Sequence, residues 1–180
     1  LNPEADLPLS LKSGGNKLIW DMRYPGYKEF EGMVFYSSPN KGPKAIPGEY
    51  LISLNYNGEV IEQSLKIEKD PRLENTDKDY RDQFDFLINV RNQVSRANSA
   101  IIKIREVQKD LNYLKQKSGL TEEINNLINQ FEVKLSHIEN NIHMTKNQSR
   151  QDPLNYGIRI NNRIAFLLAD SQRGLSLIHI

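Results

Sequence analysis

The chain contains no cysteine, one tryptophan and three histidines in 180 residues. The missing thiols exclude disulfide staples and thiolate metal sites, though they do not fix the compartment. No stretch approaches the ~18 apolar residues of a membrane span. No excess of one charge sign exists either: 24 basic residues stand against 23 acidic ones, a net charge of +1. That balance, without any basic run, gives no global attraction to nucleic acid or anionic membrane. GxSxG, P-loop and GxGxxG motifs are absent, and Gly14-Gly15 lacks the rest of a phosphate-cradling signature. No solenoid or propeller repeat is visible in the chain.

The composition is that of a globular protein, with 38% hydrophobic and 26% charged residues. Two regimes meet near Asp70-Pro71. The first reads as strands and turns. Lys17–Arg23 alternates through Leu18, Trp20 and Met22, and Gly32–Tyr36 is a short apolar run. Residues 49–56 and 59–67 flank Asn57-Gly58, two residues that accept the positive φ of a type I′ turn, which predicts a hairpin. In its second arm Ile61, Gln63, Leu65 and Ile67 share one face, while Glu62, Ser64 and Lys66 face water. Pro25-Gly26, Pro39-Asn40, Gly42-Pro43 and Pro47-Gly48 mark turns. Four strands imply a small β-sandwich, with Trp20 in its core. About 60 residues give only marginal independent stability. Such a module needs upstream strands or the helices to complete its core.

The second regime is helical. Thr76 is the expected N-cap, with Asp77 and Asp79 in the first turn. Leu87, Val90, Val94, Ala97, Ile101, Ile104, Leu111 and Leu114 then form a stripe at alternating three and four spacing, interrupted by polar Gln108, over a helix from about 78 to 117. Ser118-Gly119 ends it. Thr121 caps a second helix carrying Ile124, Ile128, Phe131, Leu135, Ile138 and Ile142. Matching stripes joined by a short turn predict an antiparallel helical hairpin. Asp152-Pro153 can open a further turn or helix, and a third helix is expected from about 158 to 171.

The chemistry-bearing residues give no catalytic constellation. His137 and His143 are six apart, about 240° around a helix, whereas a helical metal pair needs a spacing of four. Asp21, Glu29, Glu31 and Glu49 carry no signature of paired carboxylates across a cleft. Asn147-Gln148-Ser149 is a formal glycosylation sequon, a weak three-residue pattern. No catalytic, metal or cofactor residues are therefore assigned, and no cofactor is expected. Tyr24, Tyr27 and Phe30 lie in an aromatic, turn-rich section and are the candidates for stacking on a ligand such as polysaccharide, or for packing on a neighbouring domain.

The stretch Asn16–Gly26, followed by Phe30-Glu31-Gly32-Met33, residues 42–50, Lys69-Asp70-Pro71-Arg72, Gln83-Phe84, Ala97-Asn98 and residues 153–156, resembles the C-terminal region of bacterial sortilin-like, BNR-repeat (WD/YVTN/BNR-like) β-propeller proteins. These are exported proteins often described as glycosyl hydrolase-like. Residues 16–67 are also similar, more distantly, to the Ig-like module of flagellar-hook-capping proteins, through the Trp20-Asp21 start and the Pro47-Gly48-Glu49-Tyr50 strand entry. The expectation is an α+β, multi-part fold: a small Ig-like (flagellar-hook-capping-protein-like) β-sandwich over residues 16–70, then an antiparallel helical hairpin and a third helix over 76–171. Residues 1–15 would be a linker or the end of an upstream domain.

The resemblance implies a non-catalytic accessory module of an exported protein, periplasmic or extracellular, packed on a propeller that precedes it. Any hydrolase-like site would lie in that propeller. The alternative is a module that binds carbohydrate through the loop aromatics or protein through the helical hairpin. Leu1 reads as an internal position, with any export signal upstream. The hexapeptide Leu175–Ile180 resembles a translated sequencing adapter and is set aside from the fold; the other reading is a short apolar strand.

Overall fold

The computed structural model describes residues 12–117 and 119–173. Its elements, in chain order, are β1 (Gly48–Tyr56), β2 (Glu59–Ile67), α1 (Asp77–Lys115), α2 (Glu122–Ile142), α3 (Pro153–Tyr156) and α4 (Ile160–Ser171). The tail hexapeptide and Ser118 lie outside the described residues.

The helices begin where the sequence places them. The Thr76 side chain accepts from the Asp79 backbone N–H, and the Asp79 carboxylate accepts from Thr76 in return, a reciprocal capping box. Thr121 caps α2 through the Ile124 N–H. The 39 residues of α1 span about 60 Å. Its C-terminal part pairs antiparallel with α2: Lys115 meets Glu132, Gln108 meets Ser136, and Arg105 meets Glu139. Its N-terminal part packs on α4. There Leu87, Val90 and Val94 meet Ala165 and Leu168, with Tyr27 closing the core and Met33, Phe35 and Ile164 packed around it. The apolar stripe of α1 thus serves two helices and an irregular segment in succession.

The Ig-like β-sandwich is not formed. Among the described residues there is one sheet, the antiparallel pair β1–β2. Lys17–Arg23 and Gly32–Tyr36 make no ladder; Arg23 only bridges Lys44 in isolation. The reason lies in where the backbone polar groups of residues 24–38 find partners. A buried segment must satisfy each N–H and C=O, and a sheet is one way to do so. Here side chains do it instead. The amide of Asn40 accepts from the Tyr27 N–H and donates to the Tyr27 carbonyl, both at 2.8 Å. Asn162, from α4, does the same for Tyr36. From α1, Asn98 donates to the Lys28 carbonyl, Ser95 accepts from the Lys28 N–H, Arg91 donates to the Pro25 carbonyl and Arg105 to the Glu31 carbonyl. Met33 and Phe35, from the apolar run expected to form a strand, therefore serve the helical core.

The hairpin expectation holds. Asn57 and Gly58 adopt φ of +51° and +86°, as a type I′ turn requires. The register pairs Tyr50 with Leu65, Ile52 with Gln63 and Leu54 with Ile61. Trp20 is half-buried at the root rather than central in a sandwich. Its ring packs tilted on Tyr50 at 6.0 Å and its indole N–H donates to the Arg23 carbonyl.

Candidate docking surface

The three aromatic candidates are all engaged in packing, and they do not form one exposed platform. Tyr27 is buried and donates its phenol to the Ser38 carbonyl at 2.7 Å; burial pushes its pKa up, so it stays a neutral donor. Tyr24 is half-buried and packs edge-on against Phe84 at 4.8 Å. Phe30 lies between the Arg105 guanidinium, 4.8 Å from its ring centre, and the edge of His143.

His143 sits at the hub of a buried polar cluster. Its Nδ1 is 3.3 Å from the Asn161 amide, which also donates to Asn98 Oδ1. Burial, and next the Arg105 charge, push the imidazole pKa down, so the neutral form is held. Arg105 in turn pairs with buried Glu139 at 2.8 Å. The cluster joins α1, α2, α4 and the segment at Phe30. Among the described residues it contains no nucleophile beside a base. The sequon residue Asn147 is buried nearby, and its Oδ1 has no partner among the described residues.

Two open clefts flank the core. One, of about 530 Å³, is lined by Tyr27, Glu29, Phe35, Ser38, Asn40 and Arg150 among others. The second, of about 580 Å³, lies at the root of the hairpin between Ile46, Pro47, Ile67, Leu73, Tyr80 and Phe84. Asp21 accepts from the Arg23 N–H, and Glu29, Glu31 and Glu49 are exposed. Among the described residues, no three His, Asp or Glu side chains gather to hold a metal ion, and no helix is long and apolar enough to cross a membrane.

The distinctive surface is the β1–β2 hairpin itself. Each strand has nine residues, about 30 Å in length, and among the described residues neither strand packs on a helix. Cross-strand partners point to one side, so the register gathers Tyr50, Ile52, Leu54, Tyr56, Ile61, Leu65 and Ile67 on a single face. Tyr50, Leu65 and Ile67 are half-buried at the root. Beyond them Ile52, Leu54, Tyr56 and Ile61 stand uncovered, between 44% and 62% exposed. Leu51 and Val60 are exposed on the other face. Among the described residues no further strand pairs with either outer edge, since the sheet has two strands. Ile61, Gln63, Leu65 and Ile67 do share one face, as their alternation implies, but alternation does not state what covers a face.

No family model, no curated protein and no solved structure matches the chain.

Proposed function

We propose that this chain is a non-catalytic accessory module of a larger exported protein, and that it docks on a folded neighbouring domain through the β1–β2 hairpin. One observation carries the reading: a two-stranded hairpin presents an apolar face to solvent along most of its length. An isolated two-stranded hairpin is marginal in water and needs a third layer or strand to hold it. Covering Ile52, Leu54, Tyr56 and Ile61, each about half exposed, contributes about 1 kcal/mol apiece. The open edges add a second mode, in which a neighbour's strand extends the sheet. The resemblance to sortilin-like, BNR-repeat proteins supplies the neighbour, a β-propeller preceding the module in the same chain, and with it the exported location. The polar cluster at His143 supports a scaffold, because it ties three helices and the irregular segment together.

Isothermal titration of this chain with the neighbouring domain, produced separately, tests the proposal. Binding is expected, and Leu54→Lys or Ile61→Lys should weaken it at least tenfold. Equal affinity of both variants, or sugar turnover by the chain that one carboxylate substitution abolishes, would refute it.

A further inference from the structure

The paired part of α1 and α2 leaves one flank uncovered, and its pattern fits a second copy of the same chain. α2 turns Ile128, Glu132, Leu135, Glu139 and Ile142 toward α1, as its burial and its bonds to α1 show. Leu127, Phe131 and Ile138 lie about 60–100° around the helix from that line, and Ile124 about 40° to the same side. On α1 the positions that meet α2 are Arg105, Gln108 and Lys115. Val107 and Leu114 lie about 100° from them. Because the helices are antiparallel, both offsets turn to the same side of the pair. Six apolar side chains therefore share one flank, each between 40% and 56% exposed. The opposite flank of α1 is the one that holds the irregular segment, through Arg91, Ser95 and Asn98.

We infer that this flank is a homodimer interface, with α2 antiparallel to α2 of the partner. Two features select a second copy. The first is area. Six half-exposed Leu, Ile, Val and Phe side chains offer about 450 Å² of apolar surface per copy, and a standard interface uses ~800 Å² per partner, slightly more than half of it apolar. The second is spacing. Ile124 and Ile138 are each seven residues from Phe131. A two-fold axis at Phe131 thus sets Ile124 of one copy level with Ile138 of the other, while Phe131 meets its own symmetry mate. That is the self-complementarity an isologous contact demands. The large aromatic falls at the centre, where interfaces concentrate their energy.

Sedimentation equilibrium of the whole 180-residue chain, from micromolar to near-millimolar concentration, reads the outcome. A mass twice the 20.8 kDa of the chain is expected. Phe131→Asp should raise the dimer dissociation constant at least tenfold with the far-ultraviolet circular dichroism unchanged, since the ring is exposed in the single chain. Val133→Asp, on a different side of α2, should leave the dimer intact. In this cysteine-free chain Phe131→Cys should cross-link to a dimer under oxidation, and Val133→Cys should not. A monomer at every concentration, a dimer indifferent to Phe131→Asp, or cross-linking of Val133→Cys with none of Phe131→Cys would each overturn the inference.

Discussion

Asn162 holds Tyr36 by both backbone groups: its Oδ1 accepts from the Tyr36 N–H at 2.8 Å, and its Nδ2 donates to the Tyr36 carbonyl at 3.1 Å. The same Nδ2 reaches Ser38 Oγ at 3.1 Å. One buried side chain on α4 thus offers the donor and acceptor that a neighbouring strand would otherwise supply. Asn40 repeats the device at Tyr27. These amide clasps let an irregular segment line a helical core without a sheet.

Asn162→Ala should therefore lower stability by about 2–4 kcal/mol, because three bonds are lost and a nearly buried site is left empty. Urea unfolding checks it, with an expected fall in the midpoint at an unchanged slope. Asn162→Asp keeps the acceptor but buries a charge and loses the donor, so it should be no better than alanine.

Ser37 lies between the clasped Tyr36 and Ser38 at φ +48°, in the left-handed region. The strain there costs roughly 1 kcal/mol for a residue with a Cβ. Ser37→Gly should relieve it and raise stability by a few tenths to about 1 kcal/mol, the glycine's greater unfolded-state freedom offsetting part of the gain. A thermal melt against the parent chain measures the difference.

Gly42 is fixed by a close approach. A Cβ built there would lie 1.8 Å from the Tyr24 carbonyl oxygen, a backbone atom that cannot rotate away. Gly42→Ala should cost more than ~2 kcal/mol and break the Arg23–Lys44 bridge. Gly15→Ala meets nothing within 4 Å and should be silent.

The helices were legible because their signals are local. Thr76 and Thr121 announce their own caps, and the stripes from Leu87 to Ile104 and from Ile128 to Ile142 repeat at helical spacing. Asn57-Gly58 fixed the hairpin for the same reason. The sandwich failed because a strand needs a partner from elsewhere in the chain. Met33 and Phe35 look alike whether they face a second sheet or α1. Nothing in the residues 24–38 reveals that Asn98, Asn162 and Arg105, far along the sequence, hold their backbone. The exposed hairpin face was hidden likewise, since alternation marks an apolar face without stating whether this chain covers it.

His143 makes stability depend on pH. Burial and Arg105 hold its folded pKa below the ordinary 6.5. Glu139 and Asn161 act in the opposite direction with smaller effect, and Phe30 and Phe35 complete the surroundings with rings that carry no charge. The unfolded chain takes up a proton that the folded imidazole refuses. The contribution of this group is thus fully present above pH 6.5 and is lost as pH falls below it. Asp70 and Asp152 have lowered pKa values and begin to lose their contributions only near or below the ordinary 3.8. Between those limits unfolding free energy should fall with a slope of up to about 1.4 kcal/mol per pH unit. His143→Gln should flatten that slope, as urea midpoints measured across the window would show.

The central claim is that the β1–β2 hairpin is a docking arm waiting for a neighbouring domain. Hydrogen–deuterium exchange across Gly48–Ile67, measured in this chain alone and again with the neighbouring domain bound, tests it most directly. The account predicts fast exchange of the hairpin amides in the chain alone, well ahead of the α1 core, and at least tenfold protection once the neighbour is present. Equal exchange in the two states, with the neighbour demonstrably bound, would contradict it.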